Sequence, residues 1–224
     1  MTTKKSIIML ETRKTKIVSW VIMEAKDKII ELGEEKFFRE GFYKTRMDEV
    51  AAELQMSKKT LYKFFPTKED LVLTIMKHFM SRMRNTIIPA LNSDKNAIEK
   101  LDELMKIMAT NAHKISSRML DEIRRHFPSL WIEIDKFRTE MMIDNLTKLI
   151  DQGKNEGLFL NYPTPIIINM LVASVRTIVT PDFILNNNFS FLEAAQTAFK
   201  IIIGGIITDK GKEIFNETIN KKLI

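Results

Sequence analysis

The stretch LQMSKKTLYKFFPTKEDL, residues 54–71, decides how this chain is read. Stepping through SKKTLYKFF at 100° per residue, the angular step of an α-helix, puts Leu61, Phe64 and Phe65 on one side. Lys58, Lys59, Tyr62 and Lys63 fall on the other. Ser57 is a good N-cap for such a helix. Pro66 stops it, because proline lacks an N–H and restricts the residue before it. A helix then restarts at Thr67, where TKED has the Thr-x-x-Asp spacing of a capping box. Any amphipathic surface helix can share this pattern, so the neighbouring sequence has to decide its meaning.

Upstream, a helix is predicted from about Ala25 to Glu40, with Ile29, Ile30, Gly33 and Phe37 on its apolar side. Gly41 follows, a residue suited to the left-handed position after a helix end. Gly33 inside that helix costs about 1 kcal/mol relative to alanine, which points to a close helix contact. A second helix is predicted from Thr45, where TRMD again has capping-box spacing; Met47, Val50, Ala51 and Leu54 follow at helical intervals. Two short helices joined by a tight turn have the spacing of a helix-turn-helix, whose second helix enters the DNA major groove.

Charge supports that placement. The 224 residues carry a net charge of +6 and a pI near 9.3, which permits a polyanionic partner. The segment 23–54 is nonetheless acidic, with Lys26, Lys28, Lys36, Arg39, Lys44 and Arg46 against a larger number of Asp and Glu. Residues 55–68 hold Lys58, Lys59, Lys63 and Lys68 and no acid. The positive charge is local to the recognition segment.

The chain has no cysteine, which excludes disulfides, zinc–thiolate sites and cysteine nucleophiles. An apolar fraction of 45% and a charged fraction of 29% fit a globular protein, and a cytoplasmic location is expected. No apolar run approaches the roughly 20 residues of a membrane span, so no membrane partner is expected. His78, His113 and His126 are too dispersed for a metal motif or a triad, and no phosphate loop or paired-carboxylate motif is recognisable. The sequence therefore gives no support to an enzyme, a cofactor or a metal.

The rest of the chain reads as a long helix from residue 67 to about 88, then helices near 94–114, 117–126, 129–152, 163–180 and 190–208, with no convincing strand. The segment Lys28–Leu71 resembles the N-terminal domain of the TetR family of bacterial transcriptional regulators. Three features carry the resemblance: Phe37 with Gly41-Phe42 at the end of helix 1, the DEVAAELQMS helix and turn, and the SKKTLYKFFPTKEDL block. IDQGKNEGLF and GGIITDKGKEIF are similar to the family's seventh and last helices. One departure is Gln55, where the family often has glycine; a left-handed turn there carries strain.

The resemblance implies an all-α fold of about nine helices. Residues 23–68 would form a three-helix helix-turn-helix domain and residues 69–224 a larger helical ligand-binding and dimerisation domain. It implies a homodimer on double-stranded operator DNA, most simply a repressor released by a small, largely apolar effector. An architectural or cell-division DNA-binding protein of the same fold, without an inducer, is the alternative. DNA contacts are expected from Ser57, Lys58, Lys59 and Thr60 at the start of the recognition helix, and from Tyr62 and Lys63 on its exposed side. Thr45 and Arg46 before helix 2 and Lys68 at the next helix start are expected to meet the backbone.

Downstream, Met105, Met108, Met141, Met142 and Met170 are candidates for an effector pocket, because flexible thioethers suit apolar cavities. Phe127, Trp131, Phe137 and Phe183 join them, each open to the alternative of ordinary core. Arg176, inside an apolar helix, is expected to pair with a carboxylate, snorkel outward or meet an acidic ligand. Helices 163–180 and 190–208 are apolar around most of their circumference, which predicts a dimer interface. Ala194, Ala195, Ala198, Gly204 and Gly205 are its expected close-approach residues. Residues 1–22, with Lys4, Lys5, Arg13, Lys14 and Lys16, read either as a basic arm for the DNA minor groove or as a mis-assigned start or dispensable tail ahead of Met23.

Overall fold

The computed structural model describes residues 22–112 and 115–220; the basic N-terminal residues proposed as an arm, and His113, lie outside them. The described residues form eleven helices and no strand. Helix α1 covers residues 22–40. It is followed by α2 (Met47–Glu53), α3 (Lys58–Phe64), α4 (Lys68–Leu91), α5 (Ala97–Ala112) and α6 (Ser117–His126). Then come α7 (Pro128–Asn155), α8 (Thr164–Ile178), α9 (Pro181–Asn187), α10 (Phe191–Gly204) and α11 (Asp209–Asn220). The chain divides into two compact units, and the division falls inside α4, between Lys77 and His78.

In the first unit the apolar sides of all four helices are buried: Ile29, Ile30 and Phe37 of α1, Val50 and Ala51 of α2, Leu61 of α3, and Leu71 and Ile75 of α4. Gly33 makes the close contact its position suggested. A Cβ there would lie 2.8 Å from the Ile75 Cδ1 atom. Gly41 takes the left-handed conformation, φ 87°, and donates its N–H to Phe37 at 3.0 Å. Lys36 is pinned to Glu53 at 2.6 Å, tying α1 to α2.

Helix α2 ends in a Schellman turn. Met56 donates its N–H to Ala51 at 2.9 Å and Gln55 donates to Ala52 at 3.0 Å. Gln55 sits at φ 53°, the left-handed conformation that its position demands and its Cβ resists.

The second unit is organised around a core from α5, α7, α8 and α10, with Ile98, Leu101, Leu149, Ile150, Leu171, Phe199 and Ile203 among its buried members. A smaller core joins Val179, Ile184, Ala194 and Ala195 where α8, α9 and α10 meet. Helix α7 ends in the same kind of Schellman turn as α2, here on Gly157 at φ 70°. Leu158 donates its N–H to Gly153 at 2.7 Å and Gly157 donates to Lys154 at 3.0 Å.

The chain leaving that turn pairs with the segment before α11. Phe159 and Ile207 form an isolated antiparallel bridge, with Leu160 N–H to Ile206 at 2.7 Å and Thr208 N–H to Leu158 at 3.0 Å. The two segments likened to the family's seventh and last helices thus meet each other. Glycine is needed on both sides: a Cβ on Gly153 would lie 2.2 Å from the Phe159 ring, and one on Gly211 would lie 2.5 Å from the Leu158 carbonyl oxygen.

Two helices exceed the nine expected from sequence. Helix α9 lies in a stretch rich in Pro and Asn that reads as a break; it is stapled by the Thr180 hydroxyl, which accepts from the Phe183 N–H at 3.3 Å. Helix α11 is mostly polar, with Ile214 and Phe215 packed on the core. Helix α4 runs past its expected end to Leu91 with Pro89 inside its last turn.

Candidate nucleic-acid interface

Helix α3 is built as its periodicity implied. Ser57 caps it by accepting the Thr60 N–H at 3.1 Å, and the two hydroxyls share a hydrogen bond of 2.8 Å. Leu61 and Phe65 are buried and Phe64 half-buried, so one side of the helix is fixed to the core. Lys59, Lys63 and Tyr62 stand on the opposite side, with Tyr62 44% exposed. Among the described residues no ion pair engages Lys59 or Lys63. Lys58 is exposed but directs its ammonium to the Asp48 carboxylate on α2.

Two expectations at the edge of this face need correction. Thr45 is fully buried, and its hydroxyl donates to the Gly41 carbonyl at 3.0 Å, so it is not available to a phosphate. The cap of α2 is Arg46, one residue later. Its N–H donates to the Glu49 carboxylate at 3.3 Å and its side chain is exposed. Lys68 is half-buried, and its ammonium lies 4.4 Å from the centre of the Phe42 ring. That cation–π seat turns the charge toward the α1–α2 turn. Sequence reasoning passed over Tyr43, which is 73% exposed on that turn beside Lys44 and Arg46. The only signal was an aromatic residue next to Phe42, whose own ring packs on Phe37 at 5.9 Å.

In the second unit the proposed pocket residues scatter. Met105 and Met142 flank the larger core and Met108 the smaller one. Phe127, Trp131, Phe183, Phe137 and Met141 are half-buried. Phe137 carries the Arg84 guanidinium 5.6 Å from its ring centre, and Phe183 stacks on Phe189 at 6.4 Å. Met170 does not belong with them: it is 54% exposed on the outer side of α8. Arg176 is also corrected as a pocket residue. It donates to Asp135 on α7 at 2.8 Å, and Arg138 holds the other oxygen at 2.9 Å. Burial pushes the Asp135 carboxyl up, but the bonds from Arg138 and Arg176 outweigh it and hold it below its ordinary range.

Of the small residues expected at the dimer interface, the three alanines need correction, whereas the two glycines stay open to a partner. Ala194, Ala195 and Ala198 are buried within their own chain, the first two in the smaller core. Gly204 and Gly205 are exposed. On α8 and α10 themselves, exposed apolar residues include Ile166 and Met170, with Ala173 beside them, and Ile201, which is 70% exposed. The described residues include no grouping of acids and histidines able to hold a metal ion, and no single helix long and apolar enough to cross a membrane.

Comparison with known proteins agrees with this architecture. Residues 29–75 match the family model described as bacterial regulatory proteins, tetR family. A Bacillus subtilis protein described as an uncharacterized HTH-type transcriptional regulator, YvaF, is 23% identical over 173 residues, covering 77% of this chain and 90% of its own. Among solved structures, a putative transcriptional regulator from Saccharomonospora viridis in complex with choline superposes with a TM-score of 0.65 at 17% identity, over 83% of this chain and 99% of that one. A TetR transcription regulator from Haloarcula marismortui gives 0.62 at 20% identity, over 83% and 100%. Fold and helix-turn-helix together define a DNA-binding transcriptional regulator. Residues 29–75 carry the match to the tetR family, and the fold of the chain is shared with solved TetR transcription regulators.

Proposed function

We propose that this regulator is a homodimeric, ligand-responsive repressor. Each α3 lies in the major groove of one operator half-site, and a small molecule bound in the second unit lowers operator affinity. The observation that carries the reading is the α3 face itself: Lys59, Tyr62 and Lys63 are exposed, and Leu61 and Phe65 anchor the opposite side. Arg46 at the α2 cap, with Ser57 and Thr60 at the start of α3, completes the candidate surface. Lysines on such a face neutralise phosphates, while short hydroxyl side chains fix register or meet base edges.

A partner subunit fits the exposed apolar residues of α8 (Ile166, Met170 and Ala173) and of α10 (Ile201), two helices that pack on each other. A two-fold dimer implies a near-palindromic site with half-sites about one helical turn apart or a multiple of it. The half-buried Met108, Trp131, Phe137 and Met141 suit an effector that is largely apolar. By linkage, an effector that weakens operator binding must itself bind more weakly to the DNA complex by the same factor.

Selection of bound duplexes from a random pool, followed by titration of Lys59→Ala and Tyr62→Ala, tests the reading. Both variants are expected to bind the selected site more weakly with an unchanged melting temperature. Lys59→Ala should also reduce the slope of log K against log salt by roughly one unit per subunit. Wild-type affinity in both variants would mean that another surface meets DNA.

A further inference from the structure

The basic segment 55–68 holds four lysines, and the structure does not treat them alike. Lys59 and Lys63 are exposed without an ion pair among the described residues. Lys68 is seated on the Phe42 ring, 4.4 Å from its centre. Lys58 is paired with Asp48, and both side chains remain open to solvent, 65% and 36% exposed. Asp48 lies in the first turn of α2, where a carboxylate is favoured by the helix dipole. The short side chain of Asp48 is placed by α2, whereas the long Lys58 side chain is free to choose partners. The acid therefore determines where the ammonium goes.

We propose that Asp48 is a positioning residue that withholds Lys58 from DNA phosphates and so raises the selectivity of the protein for its operator. This rests on the reading that α3 faces DNA. Phosphate contacts strengthen binding to every sequence equally, whereas selectivity is the ratio of specific to non-specific affinity. A third phosphate-seeking lysine would favour the vast excess of random sites. Paired with Asp48, Lys58 carries no condensed-counterion advantage to an arbitrary duplex, because its charge is already balanced on the protein. At the operator the same ammonium and carboxylate remain as a donor and an acceptor facing base edges.

The test compares Asp48→Asn, Lys58→Ala, the double variant and Lys59→Ala, each as the full chain, on a short random duplex and on the duplex recovered by selection. Asp48→Asn is expected to bind the random duplex several-fold more tightly and to steepen its log K–log salt slope by about 0.9 per subunit. The ratio of selected to random affinity should fall. Lys58→Ala should leave the random-duplex slope at the wild-type value, and in the double variant the effect of Asp48→Asn should vanish. Asp48→Ala, which leaves no amide behind, guards against a new hydrogen bond from asparagine. An unchanged slope in Asp48→Asn, or a slope one unit shallower in Lys58→Ala, overturns the inference. If Lys59→Ala also leaves the slope unchanged, the placement of α3 itself has failed; a shallower Lys59→Ala slope confines the failure to Asp48.

Discussion

Helices α2 and α7 end in the same pair of hydrogen bonds, but the residue at the left-handed position is Gln55 in one and Gly157 in the other. The first turn passes the chain straight into α3, so the whole device is local: a cap, a turn and a second cap within a few residues. The second turn delivers the chain to a bridge with residues some fifty positions away, Leu158 to Thr208. Local devices write themselves into short motifs, and a motif survives an unsuited residue such as Gln55. A long-range closure instead needs specific residues far apart to fit, and there Gly153 and Gly211 have no substitute.

The sharpest test of this contrast sets Gly153→Ala against Gly33→Ala. The new methyl at Gly153 would sit 2.2 Å from the Phe159 ring, inside a helix end that cannot shift without breaking the bridge. A loss of about 3 kcal/mol is expected in denaturant titration. At Gly33 the clash, 2.8 Å, is with the terminal methyl of Ile75, and helix propensity returns about 1 kcal/mol. Gly33→Ala should fall within about 1 kcal/mol of wild type. Equal losses at the two sites would remove the distinction between a glycine fitted under the bridge and one that meets the flexible end of a side chain.

A second pair separates the chain's own core from the surface left for a partner. Ala198→Glu buries a carboxylate in the folded subunit, where Ala198 is 6% exposed, and should unfold the second unit. Ile201→Glu should leave the subunit folded but weaken dimerisation by on the order of 3–5 kcal/mol. Analytical ultracentrifugation and circular dichroism together distinguish the two; a dimeric Ile201→Glu protein would place the interface elsewhere.

The two turns themselves give a smaller, mirrored effect. Gln55→Gly should stabilise the protein by about 1 kcal/mol, since it relieves a side chain from the left-handed region. Gly157→Ala should cost about the same, because open space surrounds its Cβ position and only the backbone conformation is penalised. Shifts of the same sign in thermal melts would mean that something other than the turn conformation dominates.

The smallest expected effect concerns Asp135. Its carboxyl is held below the ordinary carboxylate range, so its contribution to stability is present at neutral pH and is lost as pH falls through the folded-state value, below about pH 4. Asp135→Asn should flatten that part of the stability–pH profile, by under about 1 kcal/mol because Arg176 is half exposed. An identical acid limb in the variant would show that the Arg138–Asp135–Arg176 cluster is held by solvent as well as by its charges.

Legibility in the sequence follows the same division. The first unit was readable nearly to the residue, including the contact at Gly33, the turn at Gly41 and the buried side of α3. Besides Lys68 and Tyr43, the miss there was the cap of α2: TRMD has capping-box spacing, but the Gly41 carbonyl takes the Thr45 hydroxyl and Arg46 caps the helix instead. In the second unit, periodicity located α5 to α8 and α10. It could not say whether an apolar face meets its own chain or another, so Ala194, Ala195 and Ala198 were assigned outward while Ile201 was passed over. Nor does composition separate a short helix such as α9 from a loop when its ends are rich in proline and asparagine.

The bridge between Phe159 and Ile207 also has a kinetic consequence. It ties the two ends of the α8–α10 segment together, so the segment is a closed loop fastened at its neck. Forming that neck carries a chain-closure entropy that grows as about 3/2 RT ln n, and it brings no reward until α7 and the start of α11 have met. The α8–α10 segment should therefore join the fold late and come away as one cooperative piece when the neck opens. The exposed apolar residues of α8 and α10 ride on that piece. Association with a second subunit would act as a clamp on the loop, slowing amide exchange in α8–α10 together while leaving α3 unaffected. The rate at which subunits exchange partners would then be set at the neck, by the fit of Gly153 and Gly211 around it.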